Sequence, residues 1–142
     1  MIILDTNVIS EVMLPSPSPV VLAWLRGIPI FDLATTTICV AEIGYGLARL
    51  PSVRRRSERE ALFNNYRVQI FENRIFAFDT IAADVYGELV AERQRAGRPL
   101  AGPDGFIAAI AVSRGLSVAT RDISGFDGCG IELVNPWDFA GG

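Results

Sequence analysis

The chain opens with an unbroken apolar run, "MIIL", that meets a carboxylate at Asp5. A strand with one wet face alternates apolar and polar residues, so a continuous run marks a strand covered on both faces. Such strands belong to parallel sheets, whose neighbours are joined by long crossovers, usually helices. The following segments fit that demand. "TNVISEVM" suits a short helix stopped by the proline-rich "LPSPSP", and "PVVLAWLRG" a second helix ended at Gly27 and Pro29. "IFDLATTT" has the β-branched character of a second strand. "ICVAEIGYGLARLP" and "SVRRRSEREALFNNYRVQI" read as helices, and "RIFAFD" as a third strand. "TIAADVYGELVAERQRAG" is amphipathic, and "GPDGFIAAIAVSRG" is a helix starting at Pro103 and closing at Gly115. "LSVATRD" and "IELVNP" supply the last two strands.

Strands alternating with helices predict an α/β fold around a central, mostly parallel sheet of about five strands. With 142 residues and no linker-like stretch, one domain over residues 1–142 is expected. No apolar stretch approaches the length of a membrane span, and "MIIL" is too short for a secretory signal, so a cytoplasmic protein is expected.

Absent residue types narrow the chemistry. There is no histidine, which removes Ser-His-Asp and Cys-His catalysis and most zinc chemistry. All 13 basic residues are arginine, which removes Walker-type phosphate loops and Schiff-base chemistry. Cys39 and Cys129 lie far apart and read as small buried residues. A net charge of −3 argues against nonspecific coating of nucleic acid. It leaves room for an acidic site that meets phosphate through a cation.

Ligands of open α/β sheets bind beyond the carboxyl ends of the strands. Asp5 and Asp122, the latter in "VATRD", stand at such ends. Glu42 interrupts the apolar "ICVAEIGYG", and Asp104 opens the apolar helix of "AGPDGFIAAIA". Each has a plain structural reading: Asp5 as a helix cap, Asp104 as an acid at a helix N-terminus, Asp122 as a turn or a partner of Arg121. Glu42 is harder to explain that way, because a lone carboxylate on an apolar face is costly. Taken together the four make one site. Crowded carboxylates repel, a divalent cation resolves the conflict, and oxygen-only donors select Mg2+ or Mn2+. Metal-dependent phosphoester hydrolysis is the chemistry this set favours.

The segments "MIILDTNVIS", "VAEIGYGLARLP", "AGRPLAGPDGFIAAIA", "ATRD" and "ELVNPW" occur in an order that resembles the PIN-domain ribonucleases, specifically the VapC-type toxins of toxin–antitoxin pairs. The resemblance implies a three-layer α/β/α fold and a Mg2+- or Mn2+-dependent endoribonuclease of a type II toxin–antitoxin system. It implies a homodimer, held inactive by a small DNA-binding antitoxin, that cuts RNA to leave a 5′-phosphate and a 3′-hydroxyl. The family's acids carry over onto Asp5, Glu42, Asp104 and Asp122, and its polar orienting residues onto Thr6, Asn7 and Thr120. Two positions depart from the pattern. Gly105 follows the third acid where relatives often have alanine, at about 1 kcal/mol of helix propensity. In "TRDISGFDG", Asp127 competes with Asp122 as the fourth acid.

Arg98 and Arg121, close in sequence to Asp104 and Asp122, are the arginines expected to meet substrate phosphate. Arg54, Arg55 and Arg56 read instead as a solvated helix face. Two other readings stand beside the main one: a PIN-like nuclease acting on structured DNA, and a noncatalytic RNA-binding PIN domain.

Overall fold

A computed structural model describes residues 1–141. Five strands, β1 (Ile2–Leu4), β2 (Leu33–Thr36), β3 (Ile75–Phe76), β4 (Ser117–Ala119) and β5 (Leu133–Val134), form one sheet in the order β3-β2-β1-β4-β5. All four pairings are parallel, with Ile3 opposite Ala34 on one side and Val118 on the other. The strand that comes first in sequence is thus the middle of the sheet. This placement is why "MIIL" needs apolar residues on both faces.

Seven helices cover the sheet: α1 (Thr6–Val12), α2 (Pro19–Arg26), α3 (Thr37–Ala48), α4 (Val53–Tyr66), α5 (Thr80–Arg95), α6 (Gly102–Arg114) and α7 (Ile123–Phe126). Side chains alternate along the strands, so the core divides into two. On one face Leu4, Leu33 and Ala119 pack with Val8, Ile9, Val21, Trp24, Ile43 and Phe63 of α1 to α4. On the other, Ile3, Ala34 and Val118 pack with Ala82, Ala109 and Ile110 of α5 and α6. The three-layer α/β/α architecture follows.

Some boundaries differ from the sequence reading. The segment "IFDLATTT" divides into a 3-10 turn at Ile30–Asp32, the strand β2, and Thr37 at the start of α3. Pro29 precedes that turn, and Phe31 within it is 71% exposed, so apolar character there does not report a strand. Helix α4 passes into a wider π turn at Arg67–Phe71 rather than running on regularly. The short helix α7 lies in the stretch after Asp122, where no element was expected.

Gly105 has a packing reason. A Cβ there would stand 3.1 Å from the Tyr86 ring of α5. Tyr86 in turn stacks on Phe106, with ring centroids 5.0 Å apart. The lost helix propensity at residue 105 makes room for close α5–α6 contact. Among the described residues no helix is long and apolar enough to cross a membrane.

Candidate active site

The strand order changes direction in chain numbering between β1 and β4, and the crevice beyond their carboxyl ends is where an α/β sheet takes ligands. Asp5 follows β1 directly, and Thr120 and Asp122 follow β4. Asp5 is the N-cap of α1, with extended backbone, and its Oδ1 accepts from the Thr6 N–H at 2.8 Å. The capping reading of Asp5 is therefore correct, and it does not compete with the site reading. Oδ2 faces the other way and accepts from the Thr120 hydroxyl at 2.8 Å.

Thr120 ties three segments together. Its hydroxyl donates to Asp5 and accepts from the Asp122 backbone N–H at 3.0 Å and from Asn7 Nδ2 at 3.2 Å. The Asn7 side-chain Oδ1 accepts from the Arg121 backbone N–H at 3.2 Å, which pins α1 to the β4 end. Thr6 reaches the opposite direction, its hydroxyl donating to Glu42 Oε1 at 2.8 Å. Glu42 arrives there because β2 ends on Thr36, whose side chain caps α3 through the Cys39 N–H at 3.1 Å.

Ligand atoms of Asp5, Cys39 and Glu42 all lie within 4.8 Å of one another. Cys39 reads better as part of the wall than as a ligand. Burial and the Asp5 charge raise its thiol pKa, so the sulfur stays protonated, and a neutral thiol is a poor donor to a hard cation.

Asp104 and Asp122 form the facing half. Helix α6 has Pro103 in its first turn and Asp104 beside it, where the helix dipole favours negative charge. The carboxylates of Asp104 and Asp122 come to 3.2 and 2.5 Å from the point where a Cβ on Gly125 would stand, so the two acids meet over a residue without a side chain. Ser124 Oγ donates to Asp122 Oδ1 at 3.1 Å.

The electrostatics record the crowding. Burial, then the charges of Asp5, Asp122 and Glu42, push the Asp104 pKa up to about 6, against a weaker pull from Arg93. Burial also raises that of Asp5, with Glu42 and Asp122 adding to it and the Thr120 and Thr6 hydrogen bonds opposing. Asp5 and Asp104 each sense the charges of Glu42 and Asp122.

The remaining sequence candidates fall outside this ring. Arg98 pairs with Asp127 at 3.1 Å, while the charge of Asp122 acts on Asp5 and Asp104. Arg121 lies over the Trp137 ring, its Cζ 4.8 Å from the centroid. Arg93 was missed by the sequence reading. Buried, it donates to the carbonyls of Arg98, Asp127 and Ser124 and so holds the loop that carries Asp122 and Gly125. An arginine with two apolar residues three and four positions before it, at the end of an amphipathic helix, gives no local sign of such a role. Gly125 was missed as well, because its importance depends on two side chains from other elements.

Comparisons with known proteins give the family and the fold. The PIN domain family model matches residues 2–127. The chain is 39% identical to VapC ribonuclease Y4jK of Sinorhizobium fredii, over 97% of this chain and 99% of that protein. It is 36% identical to Toxin FitB of Neisseria gonorrhoeae, over 96% of this chain and 99% of that one. The crystal structure of FitAcB from Neisseria gonorrhoeae superposes with a TM-score of 0.87 at 35% identity, covering 97% of this chain and 99% of that chain. With the family model spanning most of the chain and these relatives spanning nearly all of it, the protein belongs to the PIN-domain family, in its VapC-type branch.

Proposed function

We propose that this protein is a Mg2+- or Mn2+-dependent endoribonuclease, the toxin of a type II toxin–antitoxin pair. The observation that carries the reading is the convergence of Asp5, Glu42, Asp104 and Asp122 in the crevice beyond β1 and β4. The donors are all carboxylate oxygens, and at Asp104 burial and the charges of Asp5, Asp122 and Glu42 outweigh the opposing pull of Arg93. That is the setting a hard divalent cation fits. Asp5, Glu42 and Asp104 would hold it, with Asp122 completing the ring. Such a cation, when bound, supplies positive charge that lowers the pKa of water and offsets charge building on phosphoryl oxygens.

The chain's own part is to hold the carboxylates in register. Thr120 and the Thr6 N–H each satisfy one oxygen of Asp5, which fixes its plane and opposes the rise in its pKa that burial causes. The Thr6 hydroxyl donates to Glu42 and holds its carboxylate, and Asn7 braces Thr120. Asp104, raised to about 6 by burial and then by the charges of Asp5, Asp122 and Glu42, would be relieved by a cation arriving in the crevice. In-line attack by water on the phosphodiester would leave a 5′-phosphate and a 3′-hydroxyl.

The partners follow the family reading. An antitoxin, expected as a small DNA-binding protein with a basic tail, would silence the enzyme by sending an arginine into the acidic crevice with paired hydrogen bonds. Most apolar side chains of α1 and α2 are in the core, and Leu14 and Val20 remain exposed there for such a tail. A second copy of the chain would cover the open apolar recess of about 520 Å3 lined by Ile38, Ala41, Tyr45, Pro103 and Phe106.

The test is cleavage of single-stranded RNA, tRNA and flap DNA with Mg2+, Mn2+ or EDTA, by the wild-type protein and Asp104→Asn. RNA cleavage that needs metal and is lost in a folded Asp104→Asn protein supports the reading. Preference for flap DNA, or undiminished cleavage by Asp104→Asn, refutes it.

A further inference from the structure

Helix α4 carries four arginines, and three of them belong to solvent. Arg54 and Arg56 pair with Glu58 and Glu60 one turn on, at 3.1 and 2.6 Å, and Arg55 is exposed. Arg59 is different. It is half-buried and lines a recess of about 230 Å3 together with Thr6, Ser10, Glu42, Met13 and Leu50. Among the described residues no hydrogen bond or ion pair engages its guanidinium. The Thr6–Glu42 hydrogen bond of 2.8 Å is the shared wall between this recess and the carboxylate cluster.

A half-buried guanidinium that no protein group engages keeps its N–H donors free for an incoming anion. The anion must bring its own reason to approach an acidic crevice, and a polyphosphate chain held nearby does so. The floor of the recess, Met13, Ile43, Leu47 and Leu50, is apolar and suits a ribose edge or base rather than a second ion. The two arginines nearest the acids in sequence are otherwise engaged, Arg98 with Asp127 and Arg121 over Trp137. We propose that Arg59 and this recess form a nucleotide subsite. Its guanidinium binds the RNA phosphate next to the scissile one, and its apolar floor takes the attached ribose or base. The proposal rests on the nuclease reading above.

The test uses Arg59→Ala and Arg59→Lys in the full chain, each checked for a wild-type melting transition. Binding of fluorescein-labelled single-stranded RNA of mixed sequence is followed by anisotropy over a range of salt, with Ca2+ replacing Mg2+ to slow cleavage. One lost charge-assisted phosphate contact should weaken binding about tenfold in Arg59→Ala. The slope of log affinity against log salt should fall by roughly 0.7, the value for one phosphate on a single strand. Arg59→Lys keeps the charge, so it should keep the slope while losing part of the affinity. Unchanged affinity and slope in a folded Arg59→Ala protein overturns the proposal, whether or not that variant loses a protein partner. A wild-type protein that neither binds nor cuts RNA in Mg2+ is a different result, because it removes the nuclease reading itself.

Discussion

Replacing Asp104 with asparagine should make the metal-free protein more stable while removing its activity. The wild-type carboxyl titrates at about 6 in the fold, against an ordinary value of 3.8. A pKa raised by folding means that the folded state binds its proton more tightly than the unfolded chain does. Below the ordinary value both states are protonated and nothing is lost. As pH rises through the window from 3.8 to about 6, the unfolded chain releases the proton first, and folded stability falls. At about 1.4 kcal/mol for each pH unit, the whole window would correspond to roughly 3 kcal/mol, but Asp104 is only half-buried. Screening by solvent brings this to on the order of 1–2 kcal/mol. Against it stands the favourable contact of an acid with the N-terminus of α6, about 0.5 kcal/mol, which asparagine gives up. The penalty wins. Thermal melts in EDTA at about pH 7.5 should therefore place Asp104→Asn a few degrees above wild type, roughly 2–5 °C for a chain of this size. At about pH 5 the gap should shrink, and Mg2+ should narrow or reverse it by stabilising only the wild type. A variant that melts below wild type in EDTA at the higher pH would refute the claim that repulsion among the four acids strains the metal-free fold.

Three further outcomes are expected. Gly125→Ala puts a Cβ 2.5 Å from the Asp122 carboxylate, which must swing out of the ring; Mn2+ affinity by calorimetry should drop about 10–100-fold, and an unchanged affinity would show that Asp122 does not need its present pose. Thr120→Val removes the hydroxyl that Asp5, Asn7 and the Asp122 N–H all use, so folding stability by urea titration should fall by about 1–3 kcal/mol and RNA cleavage with it. Thr120→Ser should restore both, and a fully active valine variant would count against the orienting role. Asp122→Asn should lower cleavage more than Asp127→Asn, whose carboxylate is occupied by Arg98; the reverse order would mean that the fourth acid is misassigned.

The parts of this fold that were legible in the sequence are those whose cause is local or periodic. "MIIL" announces a doubly covered strand, and the acid that ends it sits where the topology of parallel sheets puts ligands. Glu42 and Asp104 stood out because each interrupts an apolar helix face, and both do reach the cluster. What stayed hidden depends on partners far away in the chain. Arg74, buried beneath β2, donates to the carbonyls of Leu33 and Ile30 at 2.8 and 3.1 Å. Nothing around residue 74 in sequence marks those acceptors. Arg93 serves the loop after β4 in the same way, and the value of Gly125 exists only once Asp104 and Asp122 are both in place. The 3-10 turn before β2 was hidden for another reason: Phe31 is apolar and yet mostly in water, so hydrophobicity misreports its surroundings.

The central position of β1 has a bearing on how the protein is made. Asp5 is oriented by the hydroxyl of Thr120, which lies 115 positions later in the chain. Until β4 is synthesised, β1 has an open edge on the side where Thr120 and Asp122 will stand. A nascent chain therefore holds the proposed chemistry in unassembled pieces until β4 is made, and a product truncated before β4 is expected to stay inert. The order of the strands acts as a timer, making assembly of the proposed site wait on β4.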